Sequence, residues 1–593
     1  MFLADLSGSC GTSSRVTTLR WVMPKISDGP ADAEQTLAKA FSLHPVAARV
    51  LVNRGYSTEE TAKAFLSESL ADLPDPFRMK GMPAAVERIA RAITEQHAVT
   101  LYGDYDVDGV SSTALLTSFL RDVGLTVRTY IPHRLGEGYG LNLPAIERLA
   151  SEGTKLLITL DCGITSHAEV ARAGALGLDV IVVDHHAVPE TMPPALAVLN
   201  PLQPGCDYPT KWLCAGGVTF NLCMGLRKTL RERGFFAKRA EPNLKQYLDL
   251  VALATVADVV PLVGANRILV IHGLRELTSS RRPGVRALKD VAELTGAEIT
   301  AGQVGFRLGP RINAAGRLDD ASVGLQLLLS TTYEAARPLA LTLDAANAER
   351  QQIERNMVQS AIDQATVLVE RGARGLVLAD ERWHPGVVGI VASRIVERFH
   401  RPAVVIGSYQ GTWRGSGRSI EGFHLYDALK RCEHHLSKFG GHKAAAGLSI
   451  DPALIEAFRV EFESVTGSIL GPDDLYARCR IDAVVTTQEL TEEAVKSLQK
   501  LAPFGMGNPE PVLSAHKQVA NPRVLMNKNV GEPGHLKLSL ESAPMLDVIG
   551  FRFAEKAPLT EAPVDLAFQV SIDAYRGVPR VSLKLKDIRA ISQ

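Results

Sequence analysis

Neither sign of charge is in excess in this chain: 65 Lys and Arg stand against 65 Asp and Glu over 593 residues. That balance argues against indiscriminate coating of polyanions, yet it leaves room for an acidic site whose charge cancels a separate basic groove. Cysteine is scarce, seven in all, with no CxxC pair. Such usage argues against a disulfide framework and suits the reducing cytoplasm. Cys206, Cys214 and Cys223 lie near one another but lack zinc-finger spacing, so they read as ordinary thiols. No apolar run approaches the length of a membrane span, and no membrane partner is expected. The first twenty residues hold no continuous apolar segment of the kind a secretory leader needs. They are rich in Ser, Thr and Gly and read as a disordered tail, with Met23 a candidate start. Internal repeats and low-complexity tracts are absent as well.

What is present is an ordinary globular composition, 46% apolar and 22% charged, in a chain long enough for three or four domains. The most telling stretch is Leu101–Leu116. An apolar run, Ala98–Tyr102, reads as a buried strand, and Gly103 ends it. Asp104, Asp106 and Asp108 follow at every second position, before Gly109 and a small-residue helix start at Ser111. At the carboxyl end of a parallel strand such a turn faces the crevice where open α/β sheets bind ligands. Three acids so close repel one another unless a cation sits among them. The plain alternative is a solvated acidic turn with Gly for the bend.

Further apolar runs read as strands that end on acids. Lys155–Leu160 delivers Asp161, Val180–Val183 delivers Asp184, His185 and His186, and Leu250–Val256 leads to Asp258. One Asp after a strand is usually a cap or turn residue. Four such places, one of them carrying adjacent histidines, point to a metal site instead. A mostly oxygen ligand set with one imidazole favours Mg²⁺ or Mn²⁺ over zinc.

The DYDVDG turn, the Asp161 strand end, the literal Asp-His-His triplet and Asp258 resemble the four motifs of the DHH phosphoesterases. Within that family the chain is most similar to the RecJ-type single-strand-specific DNA exonucleases. The likeness is carried further by GPRINAAGRLDD (309–320), WHPGVVGIVASRI (383–395), GSGRSI (415–420) and FGGHKAAAG (439–447). It runs from about residue 45 to the C-terminus. One departure stands out: Tyr102 occupies a place where some relatives carry a His, which puts the occupancy of one metal position in question.

The resemblance implies an α/β architecture in five segments. These are a tail and helical lead-in (1–50), a parallel-sheet catalytic domain (51–330), a long connecting helix (331–371), a second α/β substrate-binding domain (372–468) and a C-terminal all-β OB-fold for single strands (469–593). Pro338 suggests a break or kink near the start of the long helix. The AAAG run after Gly440-Gly441 suggests a tight turn into a helix.

Two divalent ions, Mn²⁺ or Mg²⁺, are implied at about 3.5–4 Å spacing. Asp161 would bridge them, Asp108, His185 and Asp258 would complete one position, and Asp106 would help hold the other. Asp104 and Asp184 would orient ligands, and His186 could be a ligand, a phosphate contact or a general acid. Substrate contacts fall on Arg134, Asn313, Arg317, His384, Arg394, Arg414, Ser416, Arg418, Gly440, Gly441 and His442. Of these, Arg134, Arg317, Ser416 and Arg418 would form a pocket for a 5′-terminal phosphate, since Arg suits bidentate phosphate capture. Taken singly, each Arg could equally be a surface ion-pair partner.

The activity implied is 5′→3′ hydrolysis of single-stranded DNA to 5′-mononucleotides, in recombination and repair. A helicase and a single-strand-binding protein are the partners such an enzyme would take, and a monomer is the expected state. Two alternatives stay open: a DHH phosphodiesterase for short oligonucleotides or cyclic dinucleotides, and a catalytically inactive DNA-binding scaffold. With aromatics at 6%, strand affinity would lean on charge more than on stacking.

Overall fold

The computed structural model describes residues 19–24, 32–134, 136–138, 140–279, 281–318, 321–526, 533–573 and 579–591. The expected N-terminal tail lies almost wholly outside the described residues. The chain divides into two compact units, one of residues 63–349 with 502–510, the other of residues 1–62, 350–501 and 511–593. No helix among the described residues is long and apolar enough to cross a membrane.

The first unit is built on a five-stranded, all-parallel sheet. Its order is Val127–Tyr130, Val99–Gly103, Leu156–Leu160, Asp179–Val183, Ala197–Leu199. Val99–Gly103 and Leu156–Leu160 are buried along their whole length. Being covered on both faces, they read in sequence as unbroken apolar runs instead of alternating ones. The chain leaves Val99–Gly103 to one side for its next strand and returns on the other, so the order reverses between Val99–Gly103 and Leu156–Leu160. Loops there diverge to opposite faces and leave a crevice at the strand tips. Asp104 and Asp161 are the residues that follow these two strands. Asp104 N donates to Leu160 O at 3.1 Å, which ties the two tips together.

The segment expected as a strand before Asp258 is a helix, Leu248–Ala257, with Asp258 as its C-cap. Its residues are buried from Leu248 to Thr255. A helix that is apolar on every face shows no 3.6-residue period, so a short window of it cannot be told from a buried strand. Its neighbour Gly264–Ser279 packs beside it in the same core.

The long helix Tyr333–Glu370 runs through Pro338 without the expected break. Pro338 is its sixth residue, where the missing N–H forfeits a single bond near the helix start. The division between units falls within this helix, between Glu349 and Arg350.

In the second unit, a mixed five-stranded sheet has the order Leu436–Gly441, Ala445–Ile450, Thr412–Arg418, Ala403–Tyr409, Leu376–Asp380. Leu376–Asp380 and Ala403–Tyr409 are parallel and the other pairs antiparallel. The run expected as a helix after Gly440-Gly441 is the strand Ala445–Ile450, so the GGHK segment is a hairpin tip. Ala446, Leu448 and Ile450 are buried, and that period of two outweighs the helix propensity of the alanines.

A seven-stranded sheet over residues 483–590 forms the all-β C-terminal part. The helices Ala33–Ala40 and Pro45–Asn53 belong to this unit and not to the parallel-sheet one. His44 N donates to Ser497 Oγ at 2.8 Å, and Arg54 pairs with Asp482 at 2.8 Å with both side chains largely buried.

Candidate metal centre

Each acid of the centre is placed by a local feature of the chain. Asp106 caps the helix Val107–Asp122, its Oδ1 accepting from Asp108 N at 2.9 Å and Gly109 N at 3.2 Å. Asp108, in the first turn of that helix, is carried into the interior. Its Oδ2 accepts from Ala215 N at 2.7 Å and its Oδ1 from Gly216 N at 2.8 Å, the first amides of the helix Ala215–Glu232. A helix N-terminus offers unsatisfied N–H donors and positive potential, which suit a carboxylate. Asp161 takes a left-handed φ of 66°, rare for a non-glycine residue and here set at a strand tip.

Asp184 accepts from Ile164 N at 3.0 Å, His185 N at 2.7 Å and His186 Nδ1 at 2.7 Å. It therefore fixes the Asp-His-His corner without occupying its open side. Asn200 Nδ2 donates to His186 O at 2.9 Å and steadies the corner from behind.

These placements bring the acids and imidazoles together. His185 Nε2 lies 3.2 Å from Asp161 Oδ1, 3.6 Å from Asp258 Oδ2 and 3.7 Å from Asp108 Oδ2. His186 Nδ1 is 3.9 Å from Asp161 Oδ1. Ligand atoms of three sets each lie within 4.8 Å of one another: Asp108, His185 and Asp258; Asp161, His185 and His186; and Asp104, Asp106 and Asp161. Asp161 belongs to two of the sets, between the imidazole side and the acidic turn.

Burial, and then like charge, disfavours ionisation here. Burial and the neighbouring Asp106 charge push Asp108 up to about 7. The same two causes raise Asp104 well above the usual carboxylate range. Burial followed by the Asp108 charge raises Asp161 and Asp258 likewise. Burial pushes Asp184 up too, but the His186 hydrogen bond and charge outweigh it, and its carboxyl ends below the ordinary value. Burial presses His186 down, whereas Asp184 raises it, and the net shift is upward.

Two buried oxygens, Asp104 Oδ1 and Asp258 Oδ2, accept no hydrogen bond from the described residues. Orphaned acceptors among repelling acids are costly in a protein interior unless a cation joins them. Hard oxygen donors with one or two imidazoles fit Mn²⁺ or Mg²⁺. Tyr102, two residues before Asp104, has its hydroxyl engaged by the loop that follows the strand Val127–Tyr130. Its hydroxyl donates to Gly140 O at 3.0 Å and accepts from Asn142 Nδ2 at 3.1 Å.

The expected substrate residues divide between the two units. In the parallel-sheet unit, Arg134 lies over the Tyr105 ring at 4.8 Å, and the charges of both Arg134 and Arg317 reach Tyr105, inside the acidic turn. Asn313 Oδ1 accepts from Val107 N at 3.1 Å. In the other unit, Arg418 Nη1 donates to Ser416 Oγ at 2.8 Å on the half-buried face of the strand Thr412–Arg418, and Arg414 lies on the same face. Gly389, in the first turn of the helix Val388–Phe399, leaves room for both: a Cβ there would sit 3.1 Å from Ser416 Oγ and from Arg418 Nη2.

Gly440 pairs with Gly447, which pairs with Ser416 on the next strand. Gly441 and His442 continue into the exposed hairpin tip. His384 Nδ1 accepts from Gly386 N at 3.1 Å. Arg394 is engaged by Glu354 at 3.2 Å and Glu397 at 3.1 Å, the ion-pair alternative that the sequence left open. Sequence reading missed the Cys214–Gly217 cradle under Asp108. A Gly pair at a helix start was the only signal for it.

Over residues 98–255 the chain matches the DHH family N-terminal domain, over 366–467 the DHHA1 domain and over 481–587 the RecJ OB domain. It is 41% identical over 541 residues to the single-stranded-DNA-specific exonuclease RecJ of Dickeya dadantii, an alignment covering 88% of this chain and 93% of that one. The RecJ of Escherichia coli is 39% identical over 565 residues, covering 92% of this chain and 96% of its own. The crystal structure of RecJ in complex with Mn²⁺ from Thermus thermophilus superposes with a TM-score of 0.83 at 32% identity, over 97% of this chain and 80% of that one.

Two outcomes follow from this geometry. Because the folded state holds protons on Asp108 up to about pH 7, it binds more protons than the unfolded chain, and the metal-free protein loses stability as pH rises through that range. Mn²⁺ competes with those protons, so its increment in Tm over EDTA should be small at pH 5.5 and largest near pH 8. Scanning calorimetry in the two buffers checks this, and equal increments at both pH values would contradict it. Gly109→Ala should destabilise the protein by about 1–3 kcal/mol in urea unfolding. Its Cβ would lie 2.5 Å from the Asp104 carbonyl oxygen, a backbone atom that cannot swing aside.

Proposed function

The chain belongs to the RecJ family of single-stranded-DNA-specific exonucleases, and from that footing we propose that it hydrolyses single-stranded DNA from the 5′ end. The products are 5′-mononucleotides, and the setting is recombination and repair. One observation carries the reading: Asp108, Asp161 and Asp258, far apart in sequence, each bring a carboxylate oxygen within 3.7 Å of His185 Nε2.

Asp108, Asp161, His185 and Asp258 would hold one divalent ion, and Asp161 with Asp106 a second. Bound there, Mn²⁺ or Mg²⁺ supplies a water activated near neutral pH and positive charge for both oxygens of an in-line displacement. The rest falls to the chain. Ala215 and Gly216 amides keep Asp108 turned inward. Asp184 holds the His-His corner and keeps His186 Nδ1 engaged, favouring a protonated imidazole that can face a phosphate oxygen. Asp104 backs the Asp106 and Asp161 carboxylates.

The catalytic segment in this reading is 51–330, joined by the helix segment 331–371 to a substrate-binding segment, 372–468, and a single-strand-binding segment, 469–593. Ser416 and Arg418, beside the Val388–Phe399 helix start, take the 5′-terminal phosphate. Arg134 and Arg317 serve as further phosphate contacts near the acidic turn. The enzyme works as a cytoplasmic monomer, with a helicase to open duplex and a single-strand-binding protein to present the strand.

End-labelled single-stranded DNA incubated with and without Mn²⁺ tests the activity. The 5′ end should shorten only with metal, and Asp161→Ala should lower kcat by at least about a thousandfold while strand binding persists. Loss from the 3′ end, or release in EDTA, would refute the reading. Arg418→Ala should abolish the preference for a 5′-phosphate over a 5′-hydroxyl end, measured as the ratio of kcat/KM for the two substrates. An unchanged ratio removes Arg418 from the phosphate site.

A further inference from the structure

Beside the metal centre, inside the parallel-sheet unit, lies a cavity of about 250 Å³ with mostly apolar walls. Ala257 and Val259, the neighbours of Asp258 on either side, both line it, as do Phe306, Phe504 and Met506. Asn313, which supports the acidic turn through Val107 N, is the one polar side chain in its wall among the described residues. The cavity is thus joined to the metal centre by covalent neighbours of Asp258 and by a direct hydrogen bond to Val107, which lies between Asp106 and Asp108.

Its apolar groups are left in water. Phe306 is 83% exposed, Val259 59% and Met506 55%, three large apolar side chains around one opening. Scattered singly they would need no explanation, but grouped around a concave wall beside reactive acids they mark a ligand surface. The backbone is bent to present them. Val259 holds a left-handed φ of 59°, a costly conformation for a β-branched residue. Phe306 sits in a π-helical turn, Val304–Leu308, an arrangement that often accompanies functional sites.

The Phe504–Gly507 loop is pressed against the same wall. Leu262 N donates to Met506 O at 2.8 Å, and Gly507, at φ 72°, would meet Pro261 Cβ at 2.9 Å if it carried a Cβ.

We propose that this cavity receives a nucleobase of the single strand, with Phe306 as its stacking face. The inference rests on the exonuclease reading above and adds a base subsite to it. A base has apolar faces that match Phe306 and Met506 and a polar edge that Asn313 can meet. A phosphate drawn to a divalent ion that Asp258 would help hold would have its own or the adjoining base near Val259, the next residue along the chain. Stacking accepts any of the four bases, as an enzyme that degrades a strand stepwise requires. It also favours single strands, because a base in a duplex must first be unpaired and unstacked before it can enter.

The test compares 5′-phosphorylated oligonucleotides that carry one abasic nucleotide at each of the first four positions. The full-length wild-type enzyme should lose about tenfold in kcat/KM when the abasic nucleotide falls at one or two of these positions and little elsewhere. Phe306→Ala should cut the intact strand about tenfold more slowly and no longer sense the abasic site, while Phe306→Trp keeps the discrimination. Because Phe306 is exposed, its substitution should leave the Mn²⁺-dependent rise in Tm intact, which excludes misfolding.

A second readout does not need turnover: 2-aminopurine at the sensitive position, bound in Ca²⁺, should be quenched by the wild type and by Phe306→Trp but not by Phe306→Ala. Equal quenching by wild type and Phe306→Ala, or the same abasic profile for both, overturns the base subsite. Absence of nucleotide release with quenching intact refutes the exonuclease reading alone.

Discussion

Mutual repulsion among buried carboxylates is the constraint around which the parallel-sheet unit is arranged. Asp104, Asp108 and Asp161 are almost completely removed from solvent, and Asp106 and Asp258 stand beside them. Nothing in a hydrophobic interior welcomes such a group, and their protonation is pushed upward by the very burial that positions them. The chain tolerates them by surrounding them with fixed donors instead of mobile cations. Helix amides hold Asp108, backbone and imidazole donors hold Asp184, and the ion-pair partner of both Asp108 and Asp258 among the described residues is the single ring of His185. Divalent cations would supply the positive charge that these donors do not.

Preorganisation depends on backbone approach as much as on side chains. Gly109 allows the first helix to lie on the Asp104 carbonyl, and Gly216 lets the Ala215–Glu232 helix end against Asp108 with its Cα next to Ala254. The parallel strands fix the tips to one another through a ladder that water does not reach. The reversal of strand order then turns those tips into a crevice. The residues on either side of Asp258, Ala257 and Val259, line the apolar cavity at Phe306, so the candidate metal centre and the proposed base surface share one framework.

The basic residues are deployed differently. Arg134 and Arg317 reach Tyr105 in the acidic turn, and Ser416 and Arg418 meet over Gly389 on another sheet. Arg394, which looks equivalent to them in sequence, is taken up by Glu354 and Glu397. The buried Glu354 and the exposed Glu397 thus give Arg394 the ion-pair role that its residue type alone did not distinguish from phosphate binding.

Much of this was legible in one dimension. The strands before Asp104, Asp161 and Asp184 were visible because a buried parallel strand is a short apolar run closed by a turn residue, and the acids at their tips by their repetition. The seven-stranded C-terminal sheet was visible through its short alternating segments. What the sequence could not express was whatever depends on the third dimension. The Leu248–Ala257 helix hid as a strand because burial on all sides erases its period, and the Ala445–Ile450 strand hid as a helix because alanine carries no strand preference.

Likewise, no local pattern says that the amides after Cys214 will meet Asp108 over a hundred residues away, or that the Phe504–Gly507 loop will close a cavity beside Asp258. Residue type and spacing set which chemistry was possible. Packing, by choosing which groups are desolvated together, decided where it is assembled.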